Sequence, residues 1–533
     1  MKNVSNEAVS IEKLQKENLH LQKHISALEQ QIAELTAKLH WFEEHYRLDQ
    51  HRLYGRSSEK TAYYGQLSLF NEAEALSDVK PEVPEPTIEE ITYKRKKKQG
   101  HREEQLKELP VETVVYELPE EEQVCGQCGG RMHAMSKEIR REIEVIPPQV
   151  KVKEHVRIVY GCRSCEENET SVPVVTAPMP APALPGSIAS ASAIANVMVQ
   201  KYMYGMPLYR QEQQWKLMDI EISRQTMANW VIQASTKWLA PIFNRMHELL
   251  LQRDIVHADE STLQVLHEPG RAADTESYMW LYRTGRDGPP IVLYDYQTTR
   301  AGKHAVKFLE GYKGRFLCTD GYAGYNLMPG IIRVCCLSHA RRKFDEALKS
   351  LPKEERDKPC AAREGLEYCN RLFAIEGELH DATAEERYEE RLKKSKPVLE
   401  EFHTWLKQQR ARLTPKSATG TAVRYCLDLW NELTNFLPDG RLYIDNNISE
   451  RSFRPYAISR KNFLFCNTPK GAFASAIVFS IIETAKGNGL KPFEYIKYLL
   501  ENLPNSDVND QAALDSFLPW SPAIPESCKA RCK

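Results

Sequence analysis

Long apolar runs are missing from this chain. The first residues, MKNVSNEAVSIEKLQ, lack the apolar core of a secretory signal, so no export is expected. The most apolar stretch, AFASAIVFSII at 472–482, is too short for a helix that spans a bilayer, and no membrane association is expected. An excess of one charge is missing too: 72 basic against 73 acidic residues leave a net charge of −1. Affinity for nucleic acid would therefore have to come from local basic patches rather than a whole-chain field. Paired cysteines are scarce. The 13 cysteines form an odd set, scattered apart from two close pairs, which argues for reduced thiols in a cytoplasmic protein rather than a disulfide framework. At roughly 100–200 residues per domain the length implies about three to five domains.

What is present first is a heptad pattern over residues 8–48. Ile11, Asn18, Ile25, Ile32 and Leu39 take one seam position, and Leu14, Leu21, Leu28, Leu35 and Phe42 the other. Ile at a with Leu at d favours a parallel two-stranded coiled coil, and a single polar Asn at a fixes register and dimer state. A homodimer is expected, the alternative being one long helix packed on its own domain. Residues 49–110 read as a linker, with an acidic Pro-rich part, VKPEVPEPTIEE, and then a basic run, YKRKKKQGHR. Such a run is either a solvated tail or a non-specific phosphate contact.

Two C-x-x-C knuckles, Cys125/Cys128 and Cys162/Cys165, lie in a segment assigned to 111–172. Thiolates at this spacing take adjacent corners of a tetrahedron, and two such turns close a structural four-sulfur zinc site. Alternating residues between them read as a β-hairpin, giving a zinc-ribbon-like module; redox or incidental cysteines are the alternative. After a Pro/Ala-rich linker, residues 187–250 read as all-helical. Ser223 is expected to cap a helix whose inner face is Met227, Trp230, Val231 and Ala234. Helix, short turn, helix fits a helix-turn-helix that presents Arg224, Gln225 and Asn229 to DNA, and equally an ordinary helical hairpin.

Residues 251–344 change character. Three strand-like runs, a helix, a fourth strand at GRFLCTDGYAGYN, a fifth at IIRVCCLSH and a basic helix start, ARRKFDEAL, follow in order. This order resembles a ribonuclease H-like α/β core, with Asp259 in HADES on the first strand and Asp320 in TDGY after the fourth. Cleavage of a phosphodiester by two metals needs carboxylates around hard cations about 3.5–4 Å apart. Magnesium suits such oxygen ligands. Either Asp alone is more often a turn or cap residue; the pair in this pattern is more specific. Residues 345–437 read as an all-α insertion, and the core is expected to resume over 438–486, leaving a C-terminal element at 487–533. In DNNISERSFR, a cap at Asp445, Asn446 or Asn447 would place Glu450 in the first helical turn, with Pro455 expected to end or kink that helix. Arg341, Arg342, Lys343, Arg451, Arg454, Arg460 and Lys461 are expected to meet DNA phosphates. The whole is thus a multidomain α+β chain.

The blocks YGRSSEK, GQLSLFNEAE, PLYRQEQ, MANWV, HADES, TDGYAGYN, HARRKF, DNNISERSFRP, RKNFLF and NGLKPFEY, in this order with the paired CxxC, resemble bacterial transposases of the insertion-sequence-66 family. The resemblance implies a DDE transposase that binds the inverted-repeat ends of its element. It implies metal-dependent strand cleavage and transfer to target DNA, with Asp259, Asp320 and Glu450 as the DDE residues holding magnesium or manganese. It also implies a zinc-binding domain, two small accessory proteins as partners, and a place on the bacterial nucleoid when bound. Cys336 and His339 resemble a CxxH found in some DDE transposases, and metal binding there stays open. Two other classes fit the same residues. One is an inactive zinc-containing dimeric DNA-binding protein, separated by a test for magnesium-dependent cleavage. The other is a ribonuclease H-like nuclease or resolvase, separated by a test for strand joining.

Overall fold

The computed structural model of the protein describes residues 2–54, 149–160 and 175–530. Cys125, Cys128, Cys162, Cys165 and the basic run lie outside these residues. The chain divides into two compact units, residues 1–70 with 154–533 and residues 71–153, and every element named below belongs to the first.

Helix α1 runs unbroken over Lys2–Tyr54, a stretch without Pro or Gly. The seam residues Leu21, Ile25, Leu28, Ile32, Leu35, Leu39 and Phe42 are 45–64% exposed, so the apolar stripe is uncovered in the single chain. Its C-terminal end is anchored. Arg47 Nε donates to the Ser350 carbonyl at 2.8 Å, and the Glu44 carboxylate accepts from the Ala418 N–H at 3.1 Å.

Four helices follow: α2 Ala191–Tyr202, α3 Leu208–Lys216, α4 Arg224–Ala234 and α5 Ala240–Leu250. Ser223 caps α4 by accepting from the Thr226 N–H at 3.1 Å, and Met227, Trp230, Val231 and Ala234 are buried, as their spacing predicted. Arg224, Gln225 and Asn229 are exposed on the other side of α4.

Five strands form the central sheet: β1 Ile255–Gln264, β2 Glu276–Thr284, β3 Val292–Gln297, β4 Phe316–Thr319 and β5 Ile332–Cys335. Their order is β3-β2-β1-β4-β5, with β1, β2 and β3 antiparallel and β1, β4 and β5 parallel. Helix α6, Lys303–Phe308, makes the crossover from β3 to β4. An antiparallel start continued by parallel strands requires such crossovers, because parallel neighbours cannot be joined by a tight hairpin.

Helix α7, Leu337–Ser350, opens a helical region that continues through α8 Ala361–Glu378, α9 Ala384–Glu390, α10 Lys396–Arg412 and α11 Ala418–Asp428. Phe344, Cys369, Leu372, Phe402, Leu406, Val423 and Cys426 form its buried core. Arg391 pins the chain that returns from it. The fully buried guanidinium meets both Glu376 oxygens at 2.7 Å and donates to the carbonyls of Phe436 at 3.0 Å and Leu442 at 2.9 Å.

Helix α12 spans Asn447–Phe463 with Pro455 inside it, so of the two expected effects Pro455 does not end the helix. Pro in a helix interior costs about 3 kcal/mol. Here Phe453, Tyr456 and Ser459 are buried, and the Tyr456 hydroxyl donates to the Thr262 carbonyl at 3.2 Å, so tertiary burial outweighs the lost backbone bond. Helix α13, Pro469–Gly487, contains the apolar run and is buried along most of its length. It covers the edge strand β3. Ser480 Oγ accepts from the Tyr294 N–H at 2.8 Å, and Thr484 Oγ1 accepts from the Val292 N–H at 3.0 Å, which satisfies strand groups that no further strand pairs. Among the described residues no helix is long and apolar enough to cross a membrane.

Candidate active site

The site begins with a register. β1 and β4 run parallel with Ile255 beside Phe316 and His257 beside Cys318. The same offset carried past the paired residues sets Asp259 level with Asp320, at the C-terminal end of β4. Glu450 arrives from α12, whose start is held against β1 through Asn446. The Asn446 amide donates to the Ala258 carbonyl at 3.0 Å, and the Glu450 N–H bonds back to the Asn446 carbonyl at 3.3 Å.

The three acids feel one another. Burial pushes the Asp259 carboxyl well above its usual range, and the neighbouring carboxylates of Glu260, Asp320 and Glu450 add to that. Each also has a local partner: Asp259 accepts from the Glu260 N–H at 2.8 Å, and Asp320 from the Tyr322 N–H at 2.9 Å. The Glu450 carboxylate lies 4.0 Å from Arg342. Hard oxygen donors with crowded negative charge are the donor set a divalent cation takes, and in that chemistry the residues fit. Among the described residues, no three acid, His or Cys side chains are already gathered as a metal cage.

Sequence reasoning missed a fourth acid. Glu260 is held by Arg300, whose Nε and Nη2 donate at 2.8 and 2.6 Å, and by the Tyr325 hydroxyl at 2.6 Å. Arg300 also lies 3.9 Å from Asp320 and covers the Tyr322 ring at 4.2 Å. The adjacency of Glu260 to Asp259 in HADES was the available signal; nothing local pointed to Arg300. Gly324 belongs to this corner. A side chain on Gly302 would strike the Gly324 carbonyl oxygen, so the backbones approach as only Gly allows.

Of the expected phosphate contacts, Arg342, Arg451 and Lys461 are exposed, and Arg454 is half-buried. Three more have these partners within the fold. Arg460 donates to Thr262 Oγ1 at 2.6 Å and to the Thr262 carbonyl, tying α12 to β1. Arg341 donates to Asn370 at 2.7 Å, and Lys343 lies over the Tyr425 ring at 4.8 Å. Asp445 accepts from the Asn447 N–H at 3.1 Å at the start of α12, and burial pushes its carboxyl up to about 6. His339 has a buried Nδ1 without a hydrogen-bond partner, and burial together with Arg342 lowers its pKa. Cys336 is buried, and its sulfur accepts from the Asn446 N–H at 3.1 Å.

The sequence profile described as "Transposase IS66 family" matches residues 186–474, the stretch that holds all three acids. The zinc-finger binding domain of transposase IS66 matches 122–166, which encloses both cysteine pairs. The IS66 C-terminal element matches 480–520, and a profile described as "Transposase C of IS166 homeodomain" matches 41–114. The uncharacterized protein y4jD of Sinorhizobium fredii (strain NBRC 101917 / NGR234) is 29% identical over 429 residues, covering 78% of this chain and 81% of that one. The uncharacterized protein y4hP of the same strain is 31% identical over 429 residues, covering 77% and 74%. With more than half of its length under the first profile, the chain belongs to the IS66 family of transposases.

Proposed function

We propose that this chain is a DDE transposase that binds the inverted-repeat ends of its element, cleaves them and joins them to target DNA. One observation carries the reading. The β1–β4 pairing, Ile255 with Phe316 through His257 with Cys318, leads toward Asp259 and Asp320, and the charges of Asp320 and Glu450 both act to raise the Asp259 carboxyl, which supports a shared site. The strand order supports a ribonuclease H-like core, in which these acids occupy the first strand, the end of the fourth and a following helix.

Asp259, Asp320 and Glu450 would hold magnesium or manganese; bound there, such cations activate an attacking oxygen and stabilise the leaving one. The chain itself orients strands and neutralises charge. Arg342 lies beside Glu450 and Arg300 beside Asp320, cationic groups that the phosphates of a bound strand would meet. Arg224, Gln225 and Asn229 on α4, half of a helix-turn-helix, would read end DNA. Cys125, Cys128, Cys162 and Cys165 would close a structural zinc site within the matched zinc-finger domain. The exposed α1 seam would pair with a second copy as a coiled coil.

The test is magnesium-dependent cleavage of end DNA by Glu450→Gln. The variant keeps the shape and loses the charge, and a rate reduced by about a hundredfold or more is expected. Near-normal cleavage would remove Glu450 from the site.

A further inference from the structure

Asn446 entered the sequence reading only as one of three possible caps, and its side chain caps nothing on α12. It is 2% exposed and forms bonds in three directions. Its Nδ2 donates to the carbonyl of Ala258, the residue before Asp259, at 3.0 Å. Its Oδ1 lies 2.9 Å from His257 Nδ1 and accepts from the Ser449 hydroxyl at 3.0 Å, one residue before Glu450. Its backbone N–H donates to Cys336 Sγ at 3.1 Å, at the cap of the helix that bears Arg342.

This arrangement determines its own orientation. A carbonyl can only accept, so the amide nitrogen must face Ala258 and the oxygen must face His257 and Ser449. Neutral His257 then carries its proton on Nδ1. Asn446 thus bonds with β1 beside Asp259, with α12 beside Glu450 and with the cap of α7 at once. A buried amide with both ends satisfied has one low-energy orientation, because turning it would face oxygen to oxygen at Ala258.

We propose that Asn446 is the positioning residue of the acidic site: it sets the separation between Asp259 on β1 and Glu450 on α12, and so the affinity of the site for its divalent cation. This rests on the assignment of Asp259, Asp320 and Glu450 as cation ligands. Partners behind metal ligands change affinity by about 10–100-fold when removed.

The test measures Mn2+ binding by electron paramagnetic resonance on the full chain, alongside the metal dependence of end cleavage. Asn446→Ala should weaken Mn2+ binding by about tenfold or more and raise the Mn2+ concentration needed for half-maximal cleavage. The rate at saturating Mn2+ should fall much less, and the melting temperature should report a folded chain. A purely structural role would lower both without a shift in metal affinity. Ser449→Ala removes a single bond to the Asn446 oxygen and covers the case in which Asn446→Ala does not fold; a weakening of a few-fold is expected. Unchanged Mn2+ affinity in a folded Asn446→Ala, or in Ser449→Ala where Asn446→Ala does not fold, overturns the proposal. Glu450→Gln separates the two levels: if it leaves Mn2+ affinity intact, the cation site itself is wrongly assigned and the proposal falls with it.

Discussion

Arg391→Ala should loosen the segment that delivers Asn446 and Glu450 to the site. Arg391 is about 1% exposed and is the hub of the returning chain. Its two bonds to Glu376, both at 2.7 Å, are joined by donations to the carbonyls of Phe436 and Leu442 at 3.0 and 2.9 Å. Truncation strands a largely buried carboxylate together with those acceptors. Removing one partner of a buried pair costs about 3–5 kcal/mol, which is about two to three and a half decades in a local opening equilibrium. Arg391→Lys should recover little, since an ammonium cannot make the forked contact. Hydrogen–deuterium exchange over residues 436–450 reads the effect directly, and Arg371→Ala is the control. Arg371 meets Glu401 at 3.0 Å with both side chains about half exposed, a pair worth roughly 0–1 kcal/mol. If Arg391→Ala exchanges no faster than Arg371→Ala, the assignment of Arg391 as the pin is wrong.

Two further outcomes are expected. Asp445 has its carboxyl pushed up to about 6 by burial, so the folded chain retains a proton that the unfolded chain has released above about pH 4. That contribution falls as pH rises from about 4 to 6 and is constant above. Asp445→Asn should remove this slope, with a gain near pH 7 of up to about 3 kcal/mol, read by denaturation at several pH values; an unchanged slope would refute it. Leu28→Glu with Leu35→Glu should convert a dimer into a monomer by light scattering after size exclusion, because both residues lie on the exposed α1 seam. A dimer that persists would place the interface elsewhere.

Local pattern carried far in this chain. The α4 face, the order of strands and the positions of Asp259 on β1 and Asp320 just after β4 were legible because strand alternation, helical spacing and turn chemistry are properties of neighbouring residues. The apolar run 472–482 was legible only as too short for a membrane. Its actual use, a buried helix whose Ser480 and Thr484 hydroxyls satisfy edge strand β3, depends on a strand nearly two hundred residues earlier. Pro455 does not end α12 for a related reason: a local rule about helix interiors met a tertiary contact that outweighed it.

The residues of the candidate site divide along the same line. Composition and spacing by themselves determined that acids sit on β1, after β4 and near the start of a later helix, among basic neighbours. Which neighbours serve the fold was decided by tertiary structure. Arg460 is turned into β1, Arg300 is held by Glu260 and Tyr322, and Asn446 joins β1, α7 and α12. A side chain's hydrogen-bond partners are set by which backbones come to lie beside it, and here those backbones are separated by more than a hundred residues of chain.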